Sequence, residues 1–166
     1  MSGMAYELQA LIGSLALLTV AAAEVPVARV VPLAQGLALI PATPALLAAF
    51  QVDGGERKSA GEGGFAWHSE GLERRLAAWS KAGPIACVEA AYWGGRGTQR
   101  AAVWADGRVD LGPLVSGEEE SFPPEGSPIS QALRRIGART EEGQVDEFAT
   151  VGLDAHRSTR DWEAAG

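Results

Sequence analysis

Cysteine is almost absent from this chain. A single residue, Cys87, occurs among 166, so an intrachain disulfide framework is excluded and a reducing, cytoplasmic setting is expected. Histidine is nearly as scarce. His68 and His156 stand far apart in the sequence, and with one cysteine they match none of the usual Cys/His zinc spacings. Neither a metal nor a cofactor is expected. Long apolar runs are missing too. The stretch Ala10–Ala23 carries no charge but is interrupted by Gly13, Ser14 and Thr19, and it falls short of the roughly 20 apolar residues a membrane span needs. It could imitate the core of a secretory signal, yet Glu7 and no Lys or Arg precede it, whereas such signals carry a basic leader. The expectation is folded core and no membrane association.

What remains is the material of a globular domain. Hydrophobic residues make up 46% and charged residues 21%, enough for one substantial interior. The length suits a single domain spanning 1–166. Net charge is −7 and lopsided. Residues 1–83 hold 6 basic and 7 acidic side chains, while residues 84–166 hold 8 basic and 14 acidic ones. Such a surface repels phosphate backbones, so direct nucleic-acid binding is not expected. It favours encounter with a basic protein instead.

Periodicity and punctuation predict an α+β fold. Residues 4–12 fit either a strand or the first turns of a helix, and Leu15–Val25 reads as a helix ended by Pro26. Residues 28–40 favour extended chain broken by Pro32 and Gly36. Thr43 and Pro44 announce a short helix over 45–50. Five glycines within 53–64 predict a flexible surface loop. The clearest helix is 69–82, with Ser69 as its cap, Leu72, Leu76 and Trp79 as its stripe, and Gly83-Pro84 as its stop. Residues 85–111 predict a three-strand antiparallel meander, with turns at Gly94–Gly97 and Asp106-Gly107. Ser127-Pro128 opens a second helix over 128–137, carrying Ile129, Leu133 and Ile136. A short helix is expected within 144–153, and a last turn capped by Ser158 that docks Trp162 on the core.

Candidate chemistry is sparse. The glycine loop at 94–97 lacks the lysine and the following helix of a phosphate-binding loop, and reads as a turn between strands. No Gly-x-Ser-x-Gly elbow and no calcium-loop pattern occurs. Cys87 lies in an apolar strand, where a thiol packs and is not activated. Glu89 stands out because a carboxylate within the most hydrophobic strand is costly unless paired or exposed. Arg100 in the next strand is its expected partner. Together with Arg96 they form the candidate ligand site, should the chain be an enzyme or a small-ligand protein. The other candidate is an acidic surface for a partner: Glu118, Glu119, Glu120, Glu141, Glu142, Asp146 and Glu147.

The segments ARVVPLAQGLALIPAT (28–43), AYWGGRGTQRAAVWADG (91–107), PISQALRRIG (128–137) and DEFATVGLDAHRSTRDW (146–162) give the chain a family likeness. It resembles small uncharacterised cytosolic proteins of high-GC bacteria, of the actinobacterial type. That resemblance brings no activity with it. In size, acidity and α+β make-up the chain is also broadly similar to immunity proteins of bacterial toxin systems. This implies a protein partner, such as a basic toxin, and transfers no functional residue. The leading expectation is therefore a small acidic binder that is not an enzyme. The alternatives are a ligand-binding or catalytic protein and a structural subunit of a bacterial assembly.

Overall fold

A computed structural model describes residues 6–52, 65, 67, 69–93, 96–117, 124, 126–140, 143 and 146–165. The fold is α+β, built on one six-stranded antiparallel sheet. The chain runs β1 (Tyr6–Ser14), α1 (Leu15–Ala23), β2 (Val31–Pro32), a 3-10 turn, β3 (Leu37–Pro41), α2 (Pro44–Val52) and α3 (Glu70–Trp79). The meander follows as β4 (Ile85–Trp93), β5 (Arg96–Ala105) and β6 (Arg108–Ser116). Helices α4 (Pro128–Arg135), α5 (Glu147–Val151) and α6 (Thr159–Ala165) complete it, with a 3-10 turn between the last two. The predicted flexible loop at 53–64 lies outside the described residues.

Strand order is β2-β3-β1-β4-β5-β6, so the expected meander is half of a larger sheet. The ambiguous N-terminal segment resolves as strand. Tertiary pairing decides it: β4 pairs with residues 6–12 of β1 and β3 with residues 10–14, so strand partners on either side take up its backbone groups. Its partner β4 is apolar on both faces because helices cover both faces at its centre. On one side Leu11, Ile40, Ile85 and Cys87 meet Leu18 of α1, Leu46 and Phe50 of α2, and Leu72, Leu76 and Trp79 of α3. On the other, Leu8, Ile12, Val88 and Val103 meet Ile129 and Leu133 of α4, Val151 of α5 and Trp162 of α6. Each such side chain removed from water contributes about 1.5–3 kcal/mol. The two well-marked helices thus pack on opposite faces of the sheet.

Caps match the sequence signals. The Ser69 hydroxyl accepts from Leu72 N at 3.2 Å, and the Ser127 hydroxyl from Ser130 N at 3.2 Å. Ser14, unanticipated, caps α1 by accepting from Leu17 N at 3.1 Å. Helix α1 is only partly the folded core expected of residues 10–23. Leu18 and Ala21 are buried, whereas Leu15 and Val20 face outward. Among the described residues no helix is long and apolar enough to cross a membrane.

The sheet's two edges differ. Strand β2 is two residues long and ends in Pro32, a blunt edge of the kind that resists further pairing. Strand β6 is nine residues long, pairs only with β5 among the described residues, and is exposed along most of its length. It runs past the expected end at Leu111 because Gly112 bends it without ending it. The glycine sits at φ +84°, beside a register shift between β5 and β6. A Cβ there would lie 2.7 Å from the Ala101 carbonyl oxygen, so only glycine fits.

Candidate functional site

The hairpin register aligns Gln9 of β1, Glu89 of β4, Arg100 of β5 and Val115 of β6 in one row across the sheet. One residue pair further in, Leu11, Cys87 and Ala102 begin the apolar interior. Glu89 therefore sits where the buried face turns polar, not at its centre. Arg100 Nη1 approaches Glu89 Oε2 at 3.3 Å. The Trp67 indole N–H donates to Glu89 Oε1 at 2.8 Å. Both carboxylate oxygens are thus engaged, and the anticipated cross-strand partner is the one found. Arg100 Nε is buried with no hydrogen-bond partner among the described residues. The arrangement is a largely buried ion pair roofed by an indole, and it fixes the hairpin register and the segment that carries Trp67.

Arg96, the third member of the candidate ligand site, begins β5 opposite Trp93. Four residues along a strand place it about 13 Å from Arg100, and its side chain lies outside the described part. Cys87 is fully buried, and burial, reinforced by the charge of Glu73, pushes its thiol far above the ordinary range. It has no route to a thiolate near neutral pH. Among the described residues no group of three or more His, Cys, Asp and Glu side chains could hold a metal.

The acidic candidates divide. Glu118, Glu119, Glu120, Glu141 and Glu142 lie outside the described residues. Asp146 and Glu147 have work within the fold. Asp146 caps α5, accepting from Ala149 N at 3.0 Å. Glu147 is buried, accepts from the Thr140 hydroxyl at 2.8 Å, and lies 3.6 Å from Arg134 Nε. The expectation of Glu147 as a surface contact is corrected accordingly, because α5 tucks its first turn against α4 and takes this carboxylate inward. At the C-terminus, Ser158 caps α6 by accepting from Asp161 N at 3.1 Å, and Trp162 is buried in the core.

Sequence reasoning missed the outer edge of β6. Val109 and Val115 are 43% and 44% exposed there. Beside the strand, Leu111 with Gln131, Arg134 and Arg135 of α4 lines a shallow groove of about 370 Å³. Arg135 is also ion-paired with Asp110, and its guanidinium holds the Asp110 carboxyl below the usual carboxylate range. The apolar residues Val109, Leu111, Leu114 and Val115 on either side of Gly112-Pro113 were the available signal. Gly112-Pro113 hid it.

In comparisons with known proteins, no family model, no curated protein and no solved structure matches the chain. The function must be argued from the geometry.

Proposed function

We propose that this chain is a small acidic protein-binding protein of the immunity or antitoxin type, and that an extended segment of a basic partner lies along the outer edge of β6. One observation carries the reading: the sheet ends on a nine-residue strand with exposed valines, while its opposite edge is two residues long and closed by a proline. An open edge presents backbone N–H and C=O groups to which a second chain can add as a strand. Main-chain bonds would supply the affinity. Charge would supply the steering, since the chain carries −7 overall and Glu118-Glu119-Glu120 follow β6 two residues after its end. The groove beside α4 is close to neutral, with Asp110 answering Arg135 and Glu147 beside Arg134. The partner's basic groups therefore belong at the Val115 end of the strand. The engagement of both Glu89 oxygens favours this reading over a ligand site at Glu89 and Arg100.

The test uses lysines on the edge. Val109→Lys and Val115→Lys, separately and together, alter exposed positions and leave the fold intact, which circular dichroism and melting check. Immobilised wild-type chain is expected to retain a basic protein from a lysate of the source organism at about 50 mM salt and to release it at about 500 mM. The double variant is expected to retain roughly tenfold less or none. Equal retention by both chains, or no basic protein retained at low salt, overturns the proposal.

A further inference from the structure

A second feature lies three strands away from the β6 edge, where β3 leaves the sheet. Pairing of β1 with β3 begins at Ala10 and Pro41, so among the described residues no named strand flanks residues 7–9 of β1 on that side. Two segments share the vacancy. Ala42 N donates to the Gln9 carbonyl at 2.7 Å, and Ser158 forms a parallel bridge with Glu7. Between the starts of α2 and α6 a cleft of about 460 Å³ remains, bordered by Glu7, Gln9, Thr43, Thr159, Arg160 and Glu163. That volume is within the range of small-molecule sites.

Its polar groups fall into two sets. One set is fixed. Thr159 donates to Glu7 through its hydroxyl, at 2.7 Å to Oε2, and through its backbone N–H, at 3.2 Å to Oε1. The same hydroxyl oxygen accepts from Gln9 N at 2.9 Å. Glu7 is thereby aimed, with lone pairs to spare. The other set is free. The Gln9 side-chain amide, the Arg160 guanidinium and the Glu163 carboxylate have no intramolecular partner among the described residues. Arg160 and Glu163 stand one turn apart on α6, a spacing at which opposite charges commonly pair, and yet they form no ion pair. A cleft with one aimed carboxylate, one free carboxylate, one free guanidinium and one free amide has complementary places for both signs of charge.

We propose that this cleft binds a small zwitterion of the amino-acid type. The ligand's ammonium lies between Glu7 and Glu163, its carboxylate meets Arg160, and the Gln9 amide reads a further polar group. Each charge of such a ligand is answered by an opposite one. A simple anion would face two carboxylates and a simple cation would leave Arg160 idle. The guanidinium suits a carboxylate because its planar fork can donate two parallel bonds.

The experiment is calorimetry and thermal melting of the full chain with each of the twenty standard amino acids at about 5 mM, which detects dissociation constants into the millimolar range. At least one is expected to bind saturably and raise the melting midpoint. Its N-acetyl form and its carboxamide form, each lacking one charge, are expected to fail. Arg160→Ala and Glu163→Gln should each weaken binding roughly tenfold or more while leaving the ligand-free midpoint unchanged, because neither side chain has a partner to lose among the described residues. Val109→Lys with Val115→Lys should bind the same ligand unchanged, which separates this site from the β6 edge. No binding by any of the twenty, binding that survives blocking of either charge, or equal binding by the two cleft variants overturns the proposal.

Discussion

Glu89 shows how much one anomalous side chain can disclose. A carboxylate inside the run IACVEAAYW demands a partner, and the hairpin that follows places Arg100 opposite it. That pairing was legible because strand alternation and a short turn fix the register arithmetically. Trp67 was not legible. It reaches Glu89 across 22 residues of sequence, through a segment with no periodicity to locate it. The three groups behave as a unit, so their energies should not add. Glu89→Ala leaves a guanidinium and an indole N–H without their acceptor and is expected to cost about 1–3 kcal/mol. Arg100→Ala strands the carboxylate and should cost a comparable amount. Because the second substitution removes a group already orphaned by the first, the double variant should lose less than the sum of the singles. Urea unfolding of all four chains measures the coupling. Strict additivity would show that the pair is incidental to stability.

Secondary-structure elements were readable in proportion to how locally they are determined. Helices α3 and α4 carry their own caps and apolar stripes, and both appear within a few residues of their expected bounds. Strand β1 was ambiguous because its identity depends on two distant neighbours, β3 and β4, that supply its hydrogen bonds. The full length of β6 was hidden because Gly112-Pro113 resembles a terminator, although here the strand bends and continues to Ser116. The edge on which the proposed function rests was missed for that same reason. Gly112 is consequently the residue on which the shape of the edge depends. Gly112→Ala places a side chain at positive φ against the Ala101 carbonyl, a strain of about 1–3 kcal/mol. The expected result is a lower urea midpoint together with loss of partner retention equal to that of the edge lysines. A variant as stable as the parent would mean that the bend is relaxed at no cost and that the strand does not need it.

Strand β1 and the segment before α6 close the fold on each other. The backbone of residues 157–159 takes the place on β1 that β3 vacates: Glu7 N donates to the Arg157 carbonyl at 2.8 Å, and Ser158 bridges Glu7. Beyond it α6 drives Trp162 into the interior shared by β1, β4 and α4. Acidic charge is concentrated in the same half of the sequence, yet the anchoring contacts are main-chain bonds, an apolar ring and hydrogen bonds from the uncharged Thr159 to Glu7, with no pair of opposite charges for salt to screen. The closing segment should therefore stabilise the molecule equally at low and high ionic strength, whereas partner capture should not. Removal of residues 157–166 exposes the free side of β1 and leaves a cavity the size of an indole, for which large-to-small aromatic substitutions suggest a loss of about 3–5 kcal/mol. Trp162→Phe keeps most of the ring. It also removes an indole N–H that is buried without a partner among the described residues, so it should cost far less than the truncation. Urea unfolding of the truncated chain, of Trp162→Phe and of the intact protein at two salt concentrations tests this ordering. A truncated chain that unfolds at the intact protein's midpoint would mean that α6 is an appendage, and that β1 is held by β3 and β4 alone.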